Sequence, residues 1–169
     1  MQFWINLPSK NKSEAPDYVA IQGKDVPTVE LINNIGNLRI LIGKFEGTQS
    51  KIPVYSKLFL YHIELNPKQE YVLNIDENDE TALVVTNGNA IVNKESLIQS
   101  EMVVFDQKGT DIAISNPTDN PIDLLVFGGE PYTEMIAFGG PYVMNSQQEI
   151  AQANTDYYNG KYGKIAYRN

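Results

Sequence analysis

No cysteine occurs among the 169 residues, and the chain has a single histidine and a single tryptophan. The first absence excludes disulfides and thiolate metal sites, and an unstapled domain of this size fits a reducing interior, so a cytoplasmic location is expected. Basic residues are also scarce, with 13 Lys plus Arg against 21 Asp plus Glu and a formal charge of -8. Such a balance repels phosphate backbones unless the cations cluster, and the only concentration is Lys161, Lys164 and Arg168 in the tail. Nucleic acid is therefore not an expected partner. No apolar run approaches the roughly 18 residues of a membrane span, and MQFWINLPSK at the start has no basic segment leading into an apolar one. Neither a membrane nor a secretory route is expected.

What is present is a rhythm of short runs rich in β-branched and aromatic residues. They fall at 3–7, 18–22, 28–32, 38–42, 58–65, 70–74, 81–86, 90–92, 102–105, 111–115, 122–127 and 134–138. Turn chemistry separates them: Asn66-Pro67, Asn87-Gly88, Lys108-Gly109, Asn116-Pro117 and Asn120-Pro121 favour reversal or block continuation. Asn87-Gly88, after Val84-Val85, is the strongest hairpin signal of the set. In the run 58–65, Phe59, Tyr61, Ile63 and Leu65 share one face, expected to be the inner one, and Leu60, His62 and Glu64 share the other. The spacing implies an all-β sandwich or small barrel, and no linker or internal repeat divides residues 1–169 into more than one domain. The loosest stretches are 9–17 and 43–57.

One helix is expected, over about residues 146–159. Ser146 and Glu149 have the spacing of a reciprocal capping box, Ile150, Ala153 and Tyr157 supply an apolar stripe to dock on the sandwich, and Gly160 provides a stop. Trp4 and Tyr157 are expected in core or helix-docking roles, while Tyr158, Tyr162 and Tyr167 are open to a partner surface.

Three segments of the C-terminal third, GGEP at 128–131, GPYVMNSQQEI at 140–150 and DYYNGKYG at 156–163, resemble the C-terminal domain of the pirin family. FWINLPSKNK at 3–12 is similar to the segment with which that domain begins, so the resemblance spans about residues 2–163. It implies a cupin-type β-sandwich or jelly-roll barrel with one C-terminal α-helix. The resemblance implies a family of two-cupin proteins whose N-terminal cupin usually holds a metal through histidines and a glutamate, a domain that is not expected in this chain. The roles that the resemblance brings, iron-dependent regulation of transcription and flavonol (quercetin) dioxygenation, are tied to that other domain.

The residues can be tested for chemistry directly. A cupin transition-metal site needs neutral imidazoles and a carboxylate converging inside the barrel, and one histidine cannot build it. If Gly88 ends the first cupin motif, the ligand positions fall near Asn74, Asp76 and Glu80 or Thr81, with the last near Asp111 or Ile112. These could at most hold a hard cation such as Mg²⁺ or Ca²⁺, and a solvated acidic loop is the plainer reading. The run DENDE at 76–80 fails as an EF-hand because the positions that need Gly and a bidentate Glu are Thr81 and Asn87. His62 reads as a surface or rim residue with no visible nucleophile partner. Gly128-Gly129 and Gly139-Gly140 have no phosphate-loop spacing and read as tight turns or close packing.

No catalytic, cofactor or metal residue is assigned, and the chain is not expected to be an enzyme by itself. The leading reading is a pirin-like cupin domain with a protein-association or structural role. Small-molecule binding or a flavonol dioxygenase-like activity is the alternative, and a regulatory partner of a transcription factor is the third. A surface that a second cupin would cover must be polar or covered by another chain, so a homodimer, or a separate cupin partner, is expected.

Overall fold

The computed structural model describes residues 1–163; Lys164, Tyr167 and Arg168 of the tail lie outside the described residues. The chain forms two compact units, Asp17–Pro131 and the pair of segments Met1–Pro16 and Tyr132–Asn169.

The larger unit is a sandwich of antiparallel strands, and its inner rows are the apolar rows of the sequence. One sheet runs in the order β1 (Thr28–Glu30), β2 (Gly36–Ile42), β5 (Leu58–Leu65), β12 (Ile122–Gly129), β7 (Glu80–Asn87) and β10 (Met102–Val104). The second has the order β6 (Glu70–Asn74), β11 (Asp111–Ser115), β8 (Ala90–Val92) and β9 (Glu95–Leu97), and β3 (Lys44–Phe45) with β4 (Thr48–Gln49) makes a small ribbon. Leu38, Ile63, Leu65, Leu83, Leu124 and Val126 of the first sheet and Leu73, Val92, Ile112 and Ile114 of the second share one core. Each such side chain contributes roughly 1.5–3 kcal/mol of burial. Phe59, Tyr61, Ile63 and Leu65 are all buried, as the alternation in β5 requires, whereas Glu64 is exposed.

Asn116 shows why a polar residue ends β11. It is buried, and its side-chain amide donates to the carbonyls of Leu65 (3.0 Å), Asn66 (3.0 Å) and Asn120 (2.8 Å). Its oxygen accepts from the backbone amide and hydroxyl of Thr118 at 2.9 and 2.8 Å. One side chain thereby satisfies the backbone where two strand ends meet a Pro-containing turn.

Several sequence expectations are corrected here. Asn87-Gly88 does reverse the chain, with Gly88 at φ +82°, but β7 and β8 do not pair; β7 bonds to β12 and β10, and β8 to β11 and β9. The turn passes from one sheet to the other and is not a hairpin. Residues 3–7 and 18–22 form no strand, and the run at 134–138 is shifted to β13 (Ala137–Gly139).

The smaller unit joins residues 1–16 to the C-terminal third. In it β13 pairs with β14 (Tyr142–Met144), and α1 (Gln147–Tyr158) packs on this ribbon. Ser146 is the N-cap, its Oγ accepting from the Glu149 amide at 3.2 Å, while the Glu149 carboxylate reaches back to the Asn145 amide at 2.7 Å, one residue earlier than a simple capping box places it. Ile150 and Ala153 are buried, and Gly139 lies so close to Ile150 that a Cβ would meet its Cγ2 at 2.3 Å. Tyr157 departs from the expected stripe: it is 62% exposed, and so is not a docking residue. Among the described residues, no helix is long and apolar enough to cross a membrane.

Candidate functional site

The sandwich opens at one end into a cavity of about 800 Å³. Phe59 and Tyr61, on the inner row of β5, stack with centroids 4.9 Å apart, and Phe45 of β3 meets Tyr61 edge-on at 5.5 Å. The Tyr61 hydroxyl donates to the Lys44 carbonyl at 2.6 Å, which ties β5 to the β3 segment. Burial pushes the phenol of Tyr61 up to about 12, and that of Tyr71, on β6 across the cavity, likewise to about 12 with Glu46 adding to the effect.

A charged cluster stands beside these rings. Lys57 Nζ lies 2.8 Å from Asp76 Oδ2 and 2.9 Å from Asp79 Oδ1, and the Asp79 side chain is only 5% exposed. The Lys57 backbone is clamped from below, its amide donating to Glu130 Oε1 at 3.1 Å and its carbonyl accepting from the Glu130 amide at 3.0 Å. Gly129 permits the clamp, since a Cβ there would lie 2.3 Å from the Lys57 carbonyl oxygen. Asp76 also accepts from the Asn78 amide and side chain, both at 3.0 Å, and the Lys57 ammonium together with these donors holds its carboxyl down to about 2. The same ion pairs hold the Lys57 ammonium above its ordinary range.

The positions singled out for a cation do not assemble one site. Asn74 donates to Asp111 Oδ1 at 2.7 Å, Asp76 is taken by Lys57, Thr81 is buried with its hydroxyl directed to the Asp79 carbonyl at 3.4 Å, Glu80 is exposed, and Ile112 is in the core. Among the described residues there is no group of three or more His, Asp and Glu arranged to hold a metal ion. His62 is on the row of β5 opposite to the cavity lining, with Nε2 2.8 Å from Asp123 Oδ1; Asp123 also accepts from Asn87 at 3.2 Å. The imidazole and the acids beside Lys57 thus face different surroundings, and the residues do not fit the histidine-based metal of the cupin pattern.

The smaller unit has a groove of its own, about 430 Å³, lined by Trp4, Ile5, Ile136, Phe138, Pro141 and Val143 among others. Trp4 and Phe138 are 73% and 70% exposed, so Trp4 is not the core residue that its hydrophobicity suggested. Asn6 and Lys12 form the polar edge: Lys12 Nζ donates to Asn6 Oδ1 at 2.5 Å and to the Val143 carbonyl at 3.0 Å, and burial lowers the pKa of this lysine. The Asn6 amide nitrogen is buried without a hydrogen-bond partner. Nothing in the sequence marks this groove, because it is made from two segments more than a hundred residues apart.

An antiparallel sandwich with a mouth at one end and a short C-terminal helix is a cupin domain, here without an imidazole site. The family comparison is specific: residues 60–163 match the pirin C-terminal cupin domain, and the chain belongs to the pirin family. A candidate quercetin 2,3-dioxygenase of Pseudomonas aeruginosa is 32% identical over 162 residues, covering 96% of this chain and 56% of its own length. A pirin-like protein of Solanum lycopersicum is 28% identical, covering 96% of this chain and 56% of its own. The crystal structure of quercetin 2,3-dioxygenase from Acinetobacter baumannii matches with a TM-score of 0.88 at 30% identity, over 96% of this chain and 56% of that one. The chain therefore spans about half the length of the relatives it matches.

Proposed function

We propose that this chain is an association domain of pirin type, which uses the groove of its smaller unit to bind a second copy of itself and carries no metal-centred chemistry of its own. The observation that carries the reading is the groove: two large aromatic side chains stand mostly in solvent around a buried amide donor that has no partner. A contiguous apolar patch is rarely left bare on a free monomer, and large aromatic side chains are the usual anchors of an interface centre. A second copy is the simplest occupant, since it brings the same exposed aromatic patch to its counterpart. Two-fold pairing is also the commonest closed assembly.

Quercetin 2,3-dioxygenation, named for relatives of this chain, does not transfer to it as an isolated domain. Oxidative chemistry of that kind uses a metal held largely by imidazole, and the residues at the sandwich mouth are rings and acids committed to Lys57.

Sedimentation equilibrium of the untagged protein over about 1–100 μM, a range in which a micromolar interface reveals itself, tests the reading. The expected result is a mass that rises from 19.0 kDa toward twice that value, and a return to monomer in a Trp4→Ser, Phe138→Ser double variant. A constant 19.0 kDa at every concentration would sink the self-association and leave a heterologous partner as the occupant.

A further inference from the structure

We propose that Lys12 is a covalent carbonyl-binding site, its amine forming a Schiff base with a small, uncharged hydroxyaldehyde held in a second cavity of the smaller unit. That cavity, of about 550 Å³, is lined by Ser9, Ser13, Glu14, Glu149, Gln152 and Asp156 among others, so it lies between residues 9–16 and α1. Its volume is in the range of ligand pockets, about 300–1,000 Å³. Lys12 lines both this cavity and the apolar groove.

The surroundings of Lys12 set it apart from the other bonded lysines. Lys51, Lys57, Lys68, Lys108 and Lys161 each face an aspartate, which keeps an amine protonated, whereas Lys12 forms no ion pair among the described residues. Its two acceptors, Asn6 Oδ1 and the Val143 carbonyl, are neutral. An uncharged amine has two N–H bonds and one lone pair, so these acceptors satisfy its protons and leave the lone pair free to attack. Both acceptors belong to the groove wall and neither lines the second cavity, which leaves the third position on nitrogen to face that cavity. Desolvation lowers the pKa of Lys12 against the opposing fields of Glu134 and Glu149, whose carboxylates are engaged by other donors: Glu134 by Ser9 and the Asn145 side chain, Glu149 by the Asn145 amide.

Charge and hydrogen bonding choose the ligand. Glu14, Glu149 and Asp156 against one further cation, Lys161, disfavour an anionic electrophile. Glu14 Oε1 accepts from Asn11 and Glu149 Oε2 from Asn145, and the second oxygen of each carboxylate is left for ligand hydroxyls. In the reaction the nitrogen lone pair adds to the aldehyde carbon, and both N–H protons leave with the carbonyl oxygen as one water, giving the imine. No oxidant or reductant is consumed. The inference does not rest on self-association.

The probe is glyceraldehyde, trapped on the full chain at about pH 7.5 with cyanoborohydride, which reduces the imine to a stable secondary amine, and peptide mass mapping reads each lysine. Lys12 is expected to label about 3- to 10-fold faster than the exposed Lys24 and Lys94, because a larger fraction of its amine is uncharged. That advantage should shrink as the pH rises toward about 10, where every lysine approaches deprotonation. Asn6→Asp replaces a buried, partnerless Nδ2 with a carboxylate oxygen and gives Lys12 an ion-pair partner, so its rate should fall to that of the exposed lysines while circular dichroism shows an unchanged fold. Ser13→Trp, which fills the cavity from its lining, should slow labelling of Lys12, whereas Trp4→Ser, in the groove, should not. Glyoxylate, an anionic aldehyde, should show no preference for Lys12. Equal labelling of Lys12, Lys24 and Lys94 by glyceraldehyde would overturn the proposal, and so would an advantage that persists undiminished at alkaline pH or in folded Asn6→Asp. Labelling slowed by Trp4→Ser and not by Ser13→Trp would overturn the placement in this cavity. A preference for Lys12 as large with glyoxylate would overturn the uncharged ligand class.

Discussion

The cost of ordering Lys57 against Asp76 and Asp79 is met only while all three are present. Asp79 is nearly fully buried, so removal of the lysine leaves a carboxylate in a poor dielectric with its cation gone. Lys57→Met should therefore destabilise by on the order of 2 kcal/mol, below the 3–5 kcal/mol of a wholly buried pair because Lys57 is half exposed, and chemical denaturation at pH 7 measures it. The pH dependence has two ends. Asp76 is held down to about 2 in the fold, so its contribution is present above the ordinary carboxylate range and is lost as the pH falls from near 4 toward 2. Tyr61 and Tyr71 are pushed up to about 12, so the stability they contribute is complete below pH 10 and is lost as pH rises toward 12. Tyr71→Phe should flatten part of that alkaline loss, which melts recorded between pH 9 and 12 will show. None of this cluster was legible as a cluster in the sequence. Asp76 and Asp79 stood out as part of an acidic run, but their cation lies 19 residues before Asp76 in a stretch that reads as loop, where the Glu130 clamp holds it.

At the scale of elements, legibility followed from whether a segment carries its own structural reason. The helix did: the cap, the buried pair Ile150 and Ala153 and the stop are all local, and both ends agree with the reading to within a residue. Ser146→Ala should cost about 1 kcal/mol and Ile150→Ala about 2–4 kcal/mol in equilibrium unfolding, because one removes a cap and the other opens a cavity against Gly139. The long inner strands were likewise plain from alternation. Of the short strands, β1, β8 and β10 fall on expected runs, whereas β3, β4, β9 and β14, of two or three residues each, carry no alternation of their own and exist because a neighbour supplies the ladder. The reverse error has the same cause, since residues 3–7 have the side chains of a strand and no partner strand. Asn87-Gly88 shows that turn chemistry fixes a reversal and leaves the choice of sheet to packing.

The whole chain carries a formal charge of -8, so a pair of copies carries twice that, -16, and long-range electrostatics oppose the association proposed above. The attraction at the groove is of a different kind. Trp4, Ile5, Ile136 and Phe138 offer apolar area, and Lys12 at its edge is already hydrogen-bonded within its own unit. A short-range apolar contact is barely affected by screening, whereas the repulsion between two acidic bodies falls as the Debye length shrinks from about 14 Å at 50 mM salt to about 4 Å at 500 mM. Self-association should thus tighten with salt. Repeating the sedimentation measurement at 50 and 500 mM NaCl is expected to lower the dimer dissociation constant at the higher salt, and the Trp4→Ser, Phe138→Ser variant should stay monomeric at both. If the constant instead rises with salt, cross-chain ion pairs hold the copies together. The contact would then have to lie on a charged face and not on the aromatic groove, and the assignment of that groove would fall with it.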